Sequence, residues 1–188
     1  MRRQRNRDDF FEAAMQILAT EGYVGLKQGR LCDLLGVTTG SFYRHFPNWL
    51  AFKTDLLEAW RQSRTLELVA MADRLPDPLV RLHELRKATL DLPHRAEAAI
   101  RTWTANDEDV AAVQQDVDEQ RLAVTTAAMH ELFTDPETAR NYAHMGLFLL
   151  VGFEQLEHPH DVAQLDWTFQ KFLAHVQEHC DSGRPVQS

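Results

Sequence analysis

Residues Gly36-Val37-Thr38-Thr39-Gly40-Ser41-Phe42-Tyr43-Arg44-His45-Phe46 constrain this chain more than any other segment. A glycine, the residue that most readily ends a helix in the left-handed conformation, is followed by Thr38. The hydroxyl of Thr38 can accept from the first N–H groups of a new helix. At about 100° per residue, Phe42 and Phe46 fall on one side of that helix, with Thr39 near their edge. Gly40, Ser41 and Arg44 fall on the other side, flanked by Tyr43 and His45. A helix this short does not hold by itself in water, so the two phenylalanine rings must anchor it in a core. What faces outward is then a hydroxyl, a guanidinium, an imidazole, a phenol and a glycine that leaves the backbone approachable. Such groups meet phosphates and base edges in a DNA major groove.

The preceding residues supply the other half of a motif. Leu31, Leu34 and Leu35 recur at helical spacing within Lys27–Leu35, with small Cys32 on the same side. The connection Gly36-Val37-Thr38 is short and contains glycine, as a helix-turn-helix requires. The pattern therefore predicts a helix-turn-helix with its recognition helix from Thr38 onward. A plain helical hairpin with a polar surface is the alternative.

A net charge of −8 argues at first against a nucleic-acid partner, but the charge is unevenly spread. Residues 1–53 carry eight Lys/Arg against five Asp/Glu, a balance of +3, and the rest of the chain carries −11. Asymmetry of this kind accompanies nucleic-acid contact, although an acidic protein with a basic tail has the same numbers. No run approaches the roughly 18 apolar residues of a membrane span. The basic Met1–Arg7 stretch leads into no hydrophobic segment, so it is not expected to be a secretory signal. Cys32 and Cys180 lie far apart, and reduced thiols in a cytoplasmic protein are expected.

Almost everything reads as helix, about nine in all, so the fold class is all-α. Asp8 or Asp9 can cap a first helix reaching about Thr20, and Gly22 and Gly25 bracket a turn. After the motif and Pro47-Asn48, one long amphipathic helix is expected from about Trp49 to Leu75. Further helices are expected over 78–90, 93–105, 107–133, 136–156 and 161–180, separated by Pro, Asn and Asp breaks. The tail 181–188 has the composition of a disordered segment. The expected division is 1–48 for DNA binding and 49–180 for ligand binding and dimerisation.

Residues 10–60 resemble the TetR (tetracycline-repressor-like) family of bacterial transcriptional regulators. The residues that carry the likeness are Phe11-x-x-Ala14 with Ile17-Leu18, then Glu21-Gly22-Tyr23, Leu31-Cys32 and the whole run Gly36–Phe46. The rest of the chain resembles the family only in length and helix count. Three positions depart from the family pattern. Lys27 stands where a capping Ser or Thr is usual, Gln28 where an aliphatic residue is usual, and Trp49 where a lysine reaches the DNA backbone. Lys53, one turn on, is expected to take over that last contact.

The resemblance implies a cytoplasmic homodimeric regulator, in the first instance a repressor, that holds two motifs against a near-palindromic double-stranded operator. A small-molecule inducer would release it. By resemblance Arg44 and Thr39 contact bases or phosphates, Ser41, Tyr43 and His45 contact phosphates, and Gly40 permits close approach. Lys27, Gln28, Thr38, Lys53 and the Arg2–Arg7 arm complete the grip. The family's last two helices build a four-helix dimer bundle. Here they offer Tyr142, Met145, Gly146, Leu149, Leu150 and Phe153, then Leu165, Trp167, Phe169, Phe172, Leu173 and Val176, part of which would serve an ordinary core. An inducer pocket would lie among the middle helices, with Trp60, Arg64, Trp103, Met129 and His130 as candidate lining.

Other chemistry finds little support. His175 and His179 stand at i, i+4 beside Cys180, and His158-Pro159-His160-Asp161 forms a loop. That spacing suits a transition metal, but imidazoles in a last helical turn equally suit the macrodipole. No metal or other cofactor is expected. The chain has no Gly-rich phosphate loop, HExxH, nucleophile elbow or CxxC pair, so it does not read as an enzyme.

Overall fold

The computed structural model describes residues 5–63, 67–72, 74–156 and 161–182. Among them are ten α-helices and no strand: α1 (Arg7–Gly25), α2 (Gln28–Leu35), α3 (Thr39–Tyr43), α4 (Trp49–Arg61), α5 (Glu67–Ala72), α6 (Pro78–Leu90), α7 (His94–Trp103), α8 (Glu108–Leu132), α9 (Pro136–Gln155) and α10 (Val162–Ser182). A short 3-10 turn, Thr104–Asn106, joins α7 to α8. Within the helix expected from Trp49 to Leu75 stand α4 and α5, and residues 64–66 between them lie outside the described residues. Most of the tail expected to be disordered, residues 183–188, also lies outside them.

Local chemistry explains the boundaries. The first helix is capped by Asn6 rather than by Asp8 or Asp9. Asn6 Oδ1 accepts from the backbone N–H of Asp9 at 2.9 Å, and the Asp9 carboxylate accepts from the backbone N–H of Asn6 at 2.8 Å. This reciprocal pair satisfies two of the donors that a helix start leaves open. Gly22, at φ 69° and ψ −178°, breaks α1 near its end. That backbone conformation is essentially open to glycine alone. Asp77 caps α6 and Asp135 caps α9, each with a proline at the next position, where its missing N–H costs nothing.

The helices pack as two compact units. The first comprises residues 1–63 and 93–115, so α4, α7 and the start of α8 share it with the helix-turn-helix. This packing boundary does not coincide with residue 48, the limit expected from the sequence. Its core includes Phe10, Ala14, Ile17, Leu31, Phe52, Leu56 and Ile100. Within that core Trp60 donates its indole N–H to the buried Glu97 carboxylate at 2.7 Å. The second unit comprises 64–92 and 116–188. Its core is formed by Leu82 on α6, Met129 and Leu132 on α8, Ala143 and Leu150 on α9, and Leu165, Phe172 and Val176 on α10.

Candidate nucleic-acid interface

The turn between α2 and α3 is built as the residues require. Gly36 adopts φ 64° and ψ 37°. Its N–H bonds the Asp33 carbonyl at 3.1 Å, and the Val37 N–H bonds the Cys32 carbonyl at 3.0 Å. This left-handed stop satisfies carbonyls that a helix end would otherwise expose. Thr38 then caps α3, its hydroxyl oxygen accepting from the backbone N–H of Ser41 at 3.3 Å. Phe42 and Phe46 are fully buried. Phe10 meets both of them edge-on, with ring centroids 5.9 and 5.6 Å away, and Phe52 lies 5.5 and 5.0 Å from the same pair. Such edge-to-face aromatic contacts add to the area they bury, and they fix α3 against α1 and α4.

The opposite face is open. Lys27, Thr38, Thr39, Gly40, Tyr43 and Arg44 are exposed, and Gln28, Ser41 and His45 are partly so. Tyr43 is 54% exposed and directs its hydroxyl to Gln28 Oε1 at 3.5 Å. Arg44 and Lys27 enter no ion pair among the described residues. A Cβ placed on Gly40 would meet only Thr38 Oγ1, at an unstrained 3.8 Å. Internal packing therefore does not demand a glycine there. His45 leans inward, its ring 5.3 Å from that of Phe10. Lys27 stands at the N-cap of α2 and makes no side-chain capping bond.

Lys53 requires a correction. Its ammonium is buried and donates to Asp107 at 3.0 and 2.8 Å and to Asp109 at 2.9 Å. Burial would lower its pKa, but the bonds to these two carboxylates outweigh burial and raise it. Asp107 shifts the opposite way: burial would raise it, and Lys53 with the N–H groups of Val110 and Asp109 holds it lowered. A cation committed in this way does not replace the backbone contact that Trp49 fails to make. Trp49 itself packs on Phe52, with ring centroids 4.9 Å apart. In the N-terminal arm, Arg5 pairs with Asp9 at 3.4 Å. Arg7 pairs with Asp55 and lies 4.7 Å over the Phe46 ring. Arg2 and Arg3 lie outside the described residues.

The comparisons with known proteins decide which family this site belongs to. Residues 10–59 match the model of bacterial regulatory proteins of the tetR family. Residues 10–59 belong to the TetR family. For the remainder the kinship is one of fold. A TetR-family transcriptional regulator from Streptomyces coelicolor aligns with a TM-score of 0.77 at 15% identity, covering 93% of this chain and 95% of that one. A transcriptional regulator from Rhodococcus sp. Rha1 gives 0.76 at 17%, covering 93% and 97%. One from Saccharomonospora viridis, solved in complex with choline, gives 0.69 at 19%, covering 90% and 95%. Among curated proteins no sequence matches significantly. The chain thus carries the family's signature in residues 10–59 and, over most of its length, the fold of these solved regulators.

The second unit holds an apolar cavity of about 80 Å³. Its walls come from α6 (Leu82, Leu85, Arg86, Thr89), α8 (Gln120, Arg121, Val124, Thr125), α9 (Gly146, Leu147, Leu150) and α10 (Phe169, Phe172, Leu173), with Leu92 beside them. The residues expected to line a pocket do not line this one. Trp60 and Trp103 belong to the first unit, where Trp103 stacks on Tyr23 with centroids 6.2 Å apart. Met129 is fully buried in the second unit's core. His130 is exposed and borders a separate cleft with His179 and Cys180. Arg64 lies outside the described residues. Sequence periodicity could not pick out the cavity residues, because core and cavity wall follow the same helical spacing.

The residues expected at a dimer contact divide into two groups. Leu165, Phe169, Phe172 and Val176 are buried within the chain itself, and a Cβ on Gly146 would meet the Phe172 ring at 3.6 Å. Tyr142, Leu149 and Phe153 are partly buried against that core. Met145 and Trp167 are exposed, at 46% and 56%, and beside Met145 stands Phe148, at 65% exposure, which the sequence reading did not name. Burial raises the Cys32 thiol pKa, with a smaller contribution from Asp33, which suits a packing role better than a reactive one. His158 and His160 lie outside the described residues. Among those described, no group of three or more His, Cys, Asp or Glu is placed to hold a metal ion. No described helix is long and apolar enough to cross a membrane.

Proposed function

We propose that this protein is a homodimeric transcriptional repressor of the cytoplasm that grips a near-palindromic operator and releases it when a small molecule binds. The observation that carries the reading is the outward face of α3 and the start of α2. Lys27, Thr39, Ser41, Tyr43 and Arg44 stand there, on a helix locked from behind by Phe42 and Phe46. Residues 1–48 supply the grip on DNA, and residues 49–180 supply the ligand site and the dimer contact. Support for the dimer comes from Met145, Phe148, Gly152 and Leu156, which recur on one side of α9 and its end, with Trp167 on α10. All five are exposed. An apolar stripe of this kind is what an obligate interface covers. The cavity between α6, α8, α9 and α10 supports the ligand site.

Selection of bound fragments from genomic DNA tests the proposal. It should return a near-palindrome whose half-sites lie about 34–36 Å apart, or a multiple of that. Sequences with no shared dyad would reject it.

A further inference from the structure

Most polar groups around the second unit's cavity are committed within the protein, and the one left over points to a ligand. Leu85, Val124, Leu150, Phe169 and Leu173 are among the residues that make its walls apolar. The Thr89 and Thr125 hydroxyls donate to carbonyls of their own helices, each at 2.9 Å. The Gln120 amide donates to Asp116 at 2.8 Å. Arg86 Nη1 donates to Asp166 on α10, so a carboxylate inside the protein already answers the charge of that guanidinium. Arg121 is engaged as well.

The Nε–H of Arg86 is different: it is buried and has no acceptor among the described residues. A buried donor in that state costs free energy that an arriving acceptor recovers. A guanidinium can only donate, so the ligand must bring the acceptor. Charge is a separate matter. Moving a carboxylate or an ammonium from water into an apolar space is expensive unless a counter-charge waits there. The charge of Arg86 is already balanced by Asp166, and no carboxylate lines the cavity to receive an ammonium. A neutral oxygen meets the donor without that cost. A carbonyl does so without adding a donor of its own that needs a partner.

We propose that this cavity binds a small, neutral, apolar molecule with one carbonyl oxygen, which accepts from Arg86 Nε while the hydrocarbon body lies against the leucine and phenylalanine walls. The inference rests on the ligand-responsive reading above and adds the ligand's chemical class. Its size follows from the volume. About 80 Å³ is roughly half of an engineered cavity that holds benzene, so the molecule has only a few carbons.

An NMR titration of the full chain without DNA tests this with butanone and cyclopentanone. Butane and cyclopentane report on the apolar walls alone, and butyrate, butylamine and choline test charge. At least one ketone should bind at least about fivefold more tightly than its hydrocarbon, the gain expected when an unmet buried donor finds an acceptor. The ions should bind more weakly than that ketone. Arg86→Lys keeps a cation for Asp166 and removes the Nε–H, so it should erase the ketone's advantage and leave hydrocarbon binding in place. Binding by neither ketone, no advantage over the hydrocarbons, or an ion that binds as tightly as the ketones would overturn the proposal on the unmodified chain, whether or not the variant folds. DNA release is read separately by fluorescence anisotropy. A ketone that binds and leaves the operator occupied refutes the inducer reading and leaves the ligand class standing. Release by an ion, with neither ketone bound, does the reverse.

Discussion

Lys53 on α4 donates to both carboxylate oxygens of Asp107, the residue before α8, at 3.0 and 2.8 Å. Asp107 also accepts from the backbone N–H groups of Asp109 and Val110 at 3.1 and 3.3 Å. One carboxylate therefore caps a helix and ties it to the helix that follows the DNA-binding motif. Removing the ammonium leaves that carboxylate largely buried and short of its strongest partner. Lys53→Ala should destabilise the protein by about 2 kcal/mol, read as a lower urea midpoint. Its operator-binding salt slope should match the unmodified protein, because Lys53 touches no phosphate. A slope smaller by about one unit would return Lys53 to the DNA interface.

The same pair sets a pH dependence on each side of neutrality. Asp107 has a lowered pKa in the folded protein. Its stabilisation is therefore complete above the unfolded carboxylate value of about 4 and is lost as pH falls through the lower folded value. Lys53 has a raised pKa. Its contribution is complete below the unfolded lysine value of about 10.4 and is lost as pH rises through the higher folded value. This pair's full contribution should therefore hold the denaturation midpoint level between about pH 5 and 9 and be lost progressively in more acid and more alkaline solution. Asp107→Asn should flatten the acid limb that this residue contributes; an unchanged limb would assign it to other carboxylates.

Arg44 and Lys27 share the outward face and should fail differently. Arg44 is exposed on the recognition segment, and base readout is the role proposed for it. Arg44→Ala should cost about 1–3 kcal/mol of operator affinity and relax sequence preference at one position of each half-site. Lys27, a point charge at the start of α2, should weaken all sequences alike when changed to Ala and lower the salt slope by about one. Competition binding at several salt concentrations separates the two. Equal effects of both variants on specific and random DNA would remove Arg44 from base readout.

How far the sequence disclosed this arrangement depends on the range of the interaction. The α2–α3 turn, the Thr38 cap and the Phe42/Phe46 anchor arise from residues a few positions apart, so spacing alone revealed them. The partners of Lys53 lie 54 and 56 residues away. Nothing local distinguishes a lysine bound for phosphate from one bound for a buried carboxylate. The stripe on α10 was similarly ambiguous. Leu165, Phe169, Phe172 and Val176 are apolar at helical spacing, as a dimer seam would be, yet they face their own core. The cavity-lining Arg86 and Arg121 gave no signal, because an arginine on a helix usually marks a solvated face.

Gly22 offers a test of backbone strain separated from packing. Its φ of 69° with ψ near −178° is closed to other residues, and a Cβ there would meet nothing within 4 Å. Gly22→Ala should therefore destabilise by about 1–3 kcal/mol through backbone conformation alone. Gly29 is the control. It lies inside α2 with equally open space and without a positive φ, so Gly29→Ala should stabilise by about 0.5–1 kcal/mol. Thermal unfolding of the two variants should move in opposite directions. A neutral Gly22→Ala would show that the chain reverses at this point in some other way.

Phe148 and Leu165 distinguish an intermolecular surface from a core. Phe148 is 65% exposed on α9, whereas Leu165 on α10 is 2% exposed. Phe148→Glu places a charge where the proposed partner would press, and it disturbs nothing inside the chain. Leu165→Glu forces a carboxylate into packed hydrocarbon with no compensating cation, a change costing several kcal/mol. Sedimentation should find the Phe148→Glu protein monomeric with its helicity intact, and operator affinity should fall because one motif reads only one half-site. Leu165→Glu should lose helicity before any change of assembly can be measured. A Phe148→Glu protein that sediments as a dimer would move the contact away from the exposed side of α9.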